Sequence, residues 1–204
     1  MRILLAGLFL LLSLSVQADE YLKLYQVAGW PQQRANFTQA LEAAQLRYRD
    51  TLPPALYQTL VDSSNRRFAA QAMDQRALDG LRSNLTNPEP ALQFFKGEVG
   101  SKIVTDEIHA SRGDQLAIYS KGLPRSEAGA ERRQLISELG KALPASEVGA
   151  EVGLALASVA ADSLSEMLPG VLGADQTQGV IDSQRERLQQ QISSDLDNTL
   201  LHIY

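Results

Sequence analysis

The sequence predicts an all-α protein, and two patterns carry this prediction. Apolar residues recur three or four positions apart through most of the chain, whereas an alternation with a period of two is not sustained. Eight prolines interrupt the helical pattern, and because proline is excluded from helix interiors, they mark helix boundaries. We therefore expect a single-domain multi-helix bundle of about seven to nine helices, joined by short loops that contain proline.

Two helices are predicted between residues 20 and 48, with a turn at residues 29–31 between them. The first helix spans residues 20–28 and places four side chains on one face: Tyr21, Leu24, Tyr25 and Ala28. Pro31 suits the first turn of the second helix, because its missing N–H is not needed there. The second helix carries a regular stripe that should face the core: Phe37, Leu41, Ala44 and Tyr48.

Several shorter helices are predicted in the middle of the chain. Residues 54–84 form either one helix or two, with residues 63–65 as the candidate break, and a turn follows at residues 86–90. Helices are expected over residues 91–96 and 99–121, closed by Gly122 in a left-handed conformation. Ser126 is a candidate N-cap for a helix over residues 127–143. The core face of that helix is predicted to be Leu135, Ile136, Leu139 and Leu143.

The helix predicted over residues 145–168 has two neighbouring rows at i, i+4 spacing. One row is apolar: Val148, Val152, Leu156, Ala160, Leu164 and Leu168. The other holds small residues: Ala145, Gly149, Gly153, Ala157, Ala161 and Ser165. Since glycine costs a helix about 1 kcal/mol relative to alanine, the pair of glycines needs a packing reason. We expect a close-packing face at Gly149, Gly153 and Ala157 on a central buried helix. The alternative is a membrane-inserting or self-associating helix, which the four carboxylates on the segment disfavour.

The first eighteen residues have the three parts of a secretory signal peptide. Arg2 gives a positive start, residues 3–14 are almost wholly apolar, and Val16 and Ala18 suit cleavage between Ala18 and Asp19. The apolar run is shorter than the roughly 20 residues of a membrane-spanning helix. We expect residues 1–18 to be removed and residues 19–204 to form one all-α domain in a bacterial periplasm. With no cysteine in the chain, that domain has no disulfide and depends on helix packing.

Composition argues against several functions. The chain has 19 Lys and Arg against 24 Asp and Glu, two histidines and no cysteine. A net charge of −5 disfavours nucleic acid as a partner, and the missing cysteines exclude a thiolate nucleophile or metal ligand. His109 follows Asp106 by three residues, yet no further polar partner for general base catalysis is visible. We predict no catalytic, metal-binding or cofactor-binding residue, no cofactor, and no enzyme activity.

Residues 94–102 read FFKGEVGSK. This stretch resembles the signature of an uncharacterised proteobacterial family of exported helical proteins, the family of domain of unknown function 2059. The signature runs Phe-aromatic-x-Ser-Pro-x-Gly-x-Lys, with Gly97 and Glu98 standing here for its Ser and Pro. Four positions match it: Phe94, Phe95, Gly100 and Lys102. Residues 21–31 and 154–168 also resemble the pseudomonad branch of the family. The resemblance implies a periplasmic all-α fold with no established enzyme activity.

The four matching residues form a candidate binding turn, with a structural role as the alternative. In the structural role, Phe94 and Phe95 anchor the short helix in the core. Gly100 lets the next helix approach closely, and the stem of Lys102 lies over apolar surface.

The function predicted from the sequence is a protein-interaction role, chaperone-like or as an adaptor, with another periplasmic protein as the partner. The alternative is a carrier of a small apolar ligand or lipid, with its cavity beside the small-residue row. An enzyme is the least favoured class. A homo-oligomer is also open, and the helix from residue 178 to Tyr204 is the first candidate for pairing.

Overall fold

Ten α-helices make up the part of the chain that the computed structural model describes, residues 20–119, 121–167 and 174–204. They are α1 (20–27), α2 (Trp30–Leu46), α3 (Pro54–Arg67), α4 (Ala70–Asn84), α5 (Glu89–Lys96), α6 (Glu98–Ala110), α7 (Gly113–Tyr119), α8 (Ala130–Ala142), α9 (Ala145–Met167) and α10 (Ala174–Ile203). No strand occurs among these residues, so the all-α prediction is confirmed. The predicted signal peptide and its cleavage site at Ala18 and Asp19 lie outside the described residues.

Contacts divide the described helices into two compact units. The first unit contains residues 20–39 and Ala69–Gly113, and the second contains Ala40–Phe68 and Asp114–Tyr204. Helix α2 therefore contributes its beginning to one unit and its end to the other. The predicted single domain stays a prediction.

The first unit is built on the buried face of α1. The predicted face is confirmed, because all four of its side chains are buried: Tyr21, Leu24, Tyr25 and Ala28. Leu92 of α5 and Val104 of α6 belong to the same core. Between α1 and α2 the chain turns at Gly29, whose φ of 73° lies in the left-handed region that glycine favours.

The second unit has α9 at its centre. Helix α9 packs against α3 and α10, and α10 also packs against α8. Among the side chains that the structure describes, the buried apolar ones of this unit come from α8, α9 and α10: Ile136, Ala150, Leu154, Val159 and Leu200. The side chain of Asn198 in α10 binds the loop before α8, because its amide donates a hydrogen bond to the carbonyl of Pro124 over 3.1 Å.

Several predicted boundaries need correction. Residues 54–84 form two helices, and the break falls at Phe68 and Ala69 instead of residues 63–65. Ser64 lies inside α3, where its hydroxyl donates to the Leu60 carbonyl one turn earlier over 2.8 Å, as a serine within a helix commonly does. The predicted helix over residues 99–121 is two helices, α6 and α7. The last helix begins at Ala174, four residues before the predicted start.

The predicted start of α8 is also wrong. Gly129 is its N-cap, and the Ser126 hydroxyl instead accepts a hydrogen bond from the Ala128 N–H over 3.3 Å in the preceding loop. Within the predicted core face of this helix only Ile136 is buried, while Leu135 and Leu143 are exposed. Tyr48 leaves the stripe predicted for α2 because the helix ends at Leu46.

Candidate functional site

The turn between α5 and α6 is held rigidly by its backbone. The Gly97 N–H donates to the carbonyls of Gln93 and Phe94, at 3.1 and 3.0 Å, and the Ser101 N–H donates to the Gly97 carbonyl at 2.9 Å. Gly100 is buried against the end of α5, where a Cβ atom would overlap the Phe94 carbonyl group. The two helices therefore approach more closely at Gly100 than any side chain would allow.

The other three residues of the candidate binding turn lie at the surface or partly so. Phe94 is 48% exposed and meets the half-buried Phe95 edge-on, with ring centroids 5.2 Å apart. Lys102 is exposed and its ammonium group lies 2.5 Å from the Asp106 carboxylate, one helical turn away. The structural alternative is thus wrong for Phe94, which is too exposed to anchor the short helix in the core. For the stem of Lys102 it stays a prediction.

At Gly149 and Gly153 the small-residue row of α9 faces α10. A Cβ atom on Gly149 would lie 3.0 Å from Ile192 Cδ1, and one on Gly153 would lie 3.5 Å from Leu188 Cδ1. These two side chains of α10 occupy the space beside the glycines, where the carrier hypothesis places a cavity. Ala157, the third residue of the predicted face, is exposed.

The apolar row of α9 does not face the core at its described positions. Val148 is 57% exposed and Val152 is 44% exposed, whereas Ala150 and Leu154 fill the interior of the unit. The prediction of a central buried helix is therefore wrong at Val148 and Val152, which are exposed. The side chains of Leu156, Ala160, Leu164 and Leu168 lie outside the described part.

An open groove of about 490 Å³ runs between the first turns of α9 and the middle of α10. Its lining is hydroxyl, amide and carboxylate: Ser146, Glu147, Glu186, Gln189, Gln190 and Ser193. The ends of these side chains are polar, but most of the exposed lining belongs to their aliphatic carbon atoms.

A polar cluster that the sequence analysis missed joins three helices of the first unit. The Tyr25 hydroxyl in α1 donates to Asp74 Oδ1 in α4 over 2.5 Å, and Arg34 Nε in α2 lies 2.5 Å from the same oxygen. Burial and the hydrogen bond to Asp74 raise the pKa of Tyr25. Burial opposes protonation of Arg34, but its contacts with Tyr25 and Asp74 raise its pKa on balance. The cluster links the three helices. The Trp30 ring packs edge-on against the Tyr25 ring, with ring centroids 5.7 Å apart, and we assign the cluster a structural role.

Two more polar side chains of α2 extend this arrangement to α6. The Asn36 amide donates to the Ile108 carbonyl over 3.0 Å and to the Ser111 hydroxyl over 2.8 Å. Gln33 donates to the Glu107 carboxylate over 3.2 Å. Their spacing is the available sequence signal, because Gln33 and Asn36 are three residues apart and share a helical face with the stripe residue Phe37.

The described residues contain no group of three or more His, Asp or Glu side chains arranged to hold a metal ion. His109 is exposed near the end of α6. Within the same part of the chain, no single helix has the length and apolar character to cross a membrane. Helix α8 passes on length and composition when it is combined with Ala145–Val159 across a 56° bend.

Comparisons with known proteins give no match to a family model, to a curated protein or to a solved structure. The resemblance to the family of domain of unknown function 2059 therefore stays a prediction from residues 94–102.

Proposed function

We propose that this chain is an exported, periplasmic protein-interaction protein that binds another protein through the outward row of α9, at Val148 and Val152. The observation that carries the proposal is the exposure of these two valines, 57% and 44%, on a helix whose Ala150 and Leu154 are buried in the unit. Two exposed apolar side chains one helical turn apart form a continuous apolar patch, and such patches mark interaction sites on protein surfaces. The uncovered row of α9 is therefore a surface on which a partner would bury apolar area.

The surroundings of the two valines fit an interface with an apolar centre and a polar rim. Glu147 and Glu151 adjoin them along the helix, and Glu151 forms an ion pair with Arg185 of α10. Interfaces between proteins usually have this arrangement, because rim charges stay hydrated while the centre is desolvated. The close contact of Gly149 and Gly153 with α10 fixes α9 in place, so little ordering would be needed on binding.

The turn between α5 and α6 offers a second surface for the same function. Its Phe94 ring is half exposed but is held by Phe95 and by the fixed backbone at Gly100. Rigid aromatic side chains contribute strongly to interfaces because they bury a large area at a small cost in conformational entropy. In this role the turn is a binding site, as the sequence predicts, and Phe94 rather than Phe95 would contact the partner.

The proposal can be tested by crosslinking in the periplasm of the source organism, followed by identification of the captured proteins. We expect the double variant Val148→Ser, Val152→Ser to lose a partner that the parent chain captures. Leu116→Ser, Ile118→Ser is the matched control, since these α7 residues are also exposed and apolar in the same unit. Phe94→Ser examines the second surface separately.

Two results would contradict the proposal. One is the absence of any reproducible partner for the parent chain. The other is an unchanged set of partners in the α9 variant. Circular dichroism and thermal unfolding of each variant establish that it is folded, and we expect small effects because both valines are exposed.

A further inference from the structure

The six residues from Leu46 to Thr51, which connect α2 to the segment before α3, form an exposed turn with the sequence LRYRDT. All six are exposed, including two large side chains, Leu46 at 58% and Tyr48 at 51%. We call this segment the Arg-Tyr-Arg turn. It thus presents an aliphatic and an aromatic side chain to solvent directly beside two guanidinium groups.

The Arg-Tyr-Arg turn is ordered by its own backbone. The Tyr48 carbonyl accepts hydrogen bonds from the N–H groups of Thr51 and Leu52, over 3.2 and 3.0 Å, and from the Thr51 hydroxyl over 3.2 Å. At its base, Gln45 is buried and donates to the Ser64 hydroxyl of α3 over 2.5 Å. The backbone that carries the exposed side chains is therefore fixed to the body of the unit.

The two guanidinium groups of the turn are not used within the part of the chain that the structure describes. Arg47 and Arg49 have no ion pair or side-chain hydrogen bond with a described residue. Asp50 is the one carboxylate of the turn, so the segment has a local charge of +1 in a chain whose net charge is −5. This local reversal of sign favours a partner that is anionic where it meets the turn.

We propose that the Arg-Tyr-Arg turn binds the surface of an anionic phospholipid bilayer. Guanidinium groups bind phosphate oxygens in a forked geometry. Tyrosine rings are favoured at the level of the headgroups, and leucine is favoured at the boundary with the acyl chains. A bilayer places its charged headgroups directly beside its acyl chains, and its lipids can rearrange around the turn. A protein partner would instead need two placed carboxylates and a shaped apolar pocket.

The contact is peripheral. Two arginines and two apolar side chains give weak, reversible attachment that depends on the surface charge of the lipid and is screened by salt. Attachment of this kind leaves the α9 surface, which is a different part of the second unit, available for its own partner.

Flotation of the full chain with vesicles tests the proposal. Vesicles of phosphatidylcholine that contain phosphatidylglycerol should carry the protein at low ionic strength, and added salt should release it. The double variant Arg47→Gln, Arg49→Gln should lower the bound fraction about tenfold, and Leu46→Ser, Tyr48→Ser should lower it as well. The segment 1–18 is present in every variant, so differences between variants report on the turn.

Two further variants make the result decisive. Asp50→Asn should increase binding, because it removes the carboxylate beside the arginines, and its thermal unfolding should match that of the parent, since Asp50 is exposed. Arg132→Gln, Arg133→Gln is the matched control, which removes the same charge from exposed residues of α8 and should leave binding unchanged. An equal loss in the control, or equal flotation of the parent and the Arg47→Gln, Arg49→Gln variant, would overturn the proposal. The last outcome would favour an acidic protein as the occupant of the turn.

Discussion

The Tyr25 hydroxyl in α1 donates a hydrogen bond to the Asp74 carboxylate in α4 over 2.5 Å, from a position 49 residues earlier in the chain. Because Tyr25 is buried and Asp74 also contacts Arg34, this bond links three helices of the first unit. The same face of α1 makes a second polar contact, in which the Tyr21 hydroxyl donates to the Leu85 carbonyl over 2.7 Å. The energetic consequences of the Tyr25 hydrogen bond are open to direct measurement.

Replacing Tyr25 with Phe should destabilise the protein. The change removes the hydroxyl and leaves the Asp74 oxygen with one partner fewer, which costs about 1.5 kcal/mol for a hydrogen bond to a charged group. Urea unfolding followed by circular dichroism measures the difference. Tyr48→Phe is the control, since its ring is exposed and its variant should unfold like the parent. Equal stability of the Tyr25 variant and the parent would show that the bond contributes nothing net.

Alkaline pH should weaken the fold through the same residue. Burial, and then the hydrogen bond to Asp74, raise the pKa of Tyr25 above its ordinary value of 10.0. The unfolded chain therefore releases this proton first. The contribution of Tyr25 is complete below pH 10 and is lost as the pH rises from there through the folded pKa, by at most about 1.4 kcal/mol per pH unit. The difference in unfolding free energy between the parent and Tyr25→Phe should shrink over this range, whereas a constant difference would contradict the assignment.

The predictability of these features from sequence differs with the kind of contact. The buried face of α1 was predictable because Tyr21, Leu24, Tyr25 and Ala28 recur at helical spacing and no other face competes. The polar cluster was not predictable, because Arg34 finds Asp74 forty residues later and nothing local marks that pairing. Hydropathy also assigns polar residues of α2 to solvent, although Asn36 is partly buried against α6.

The orientation of α9 shows a second limit. Its two neighbouring rows are both free of charge, so periodicity alone does not say which one packs inward. The glycines decide it, since α10 approaches closely at Gly149 and Gly153 and thereby turns Val148 and Val152 outward. Similarly, α5 has only eight residues, and two adjacent phenylalanines cannot both face the interior of so short a helix.

Substitutions at Gly149 and Gly153 should show whether these glycines affect stability through close packing against α10 or only through the low helix propensity of glycine. Gly153→Ala should stabilise the protein by about 0.5–1 kcal/mol, because its Cβ would make ordinary contact with Leu188 at 3.5 Å and alanine is the better helix former. Gly149→Leu should destabilise by about 1–3 kcal/mol, since a large side chain would force Ile192 aside. Thermal unfolding measures both. Stabilisation by Gly149→Leu would show that α9 and α10 are not closely packed there.

Gly100 and Gly80 provide a matched pair of helical glycines in the first unit. Gly100→Ala should cost about 1–3 kcal/mol, because the new Cβ overlaps the Phe94 backbone and the two helices must separate. Gly80→Ala should stabilise by about 0.5–1 kcal/mol, since nothing lies within 4 Å of its Cβ position. Urea unfolding of the two variants should therefore give shifts of opposite sign. Two shifts of the same sign would contradict the rigid turn.

Alanine substitutions at Gly29 and Gly122 should distinguish the cost of backbone strain from the cost of steric overlap in the free energy of unfolding. Both have a positive φ, 73° and 85°, so alanine at either position carries a conformational cost of about 1–2 kcal/mol. At Gly122 nothing lies within 4 Å of the new Cβ, and that cost is the whole effect. At Gly29 the Cβ would also lie 2.6 Å from Val104 Cγ1, which adds about 1–3 kcal/mol of overpacking.

A double-mutant cycle isolates the overlap at Gly29. Val104→Ala alone creates a cavity in the core and destabilises the protein. In the Gly29→Ala background the same truncation makes room for the new methyl group, so its cost should be smaller by about 1 kcal/mol or more. Strictly additive free energies would mean that the α1–α2 turn and α6 are not in contact at this point. The strain at Gly29 would then be the whole of its effect, as at Gly122.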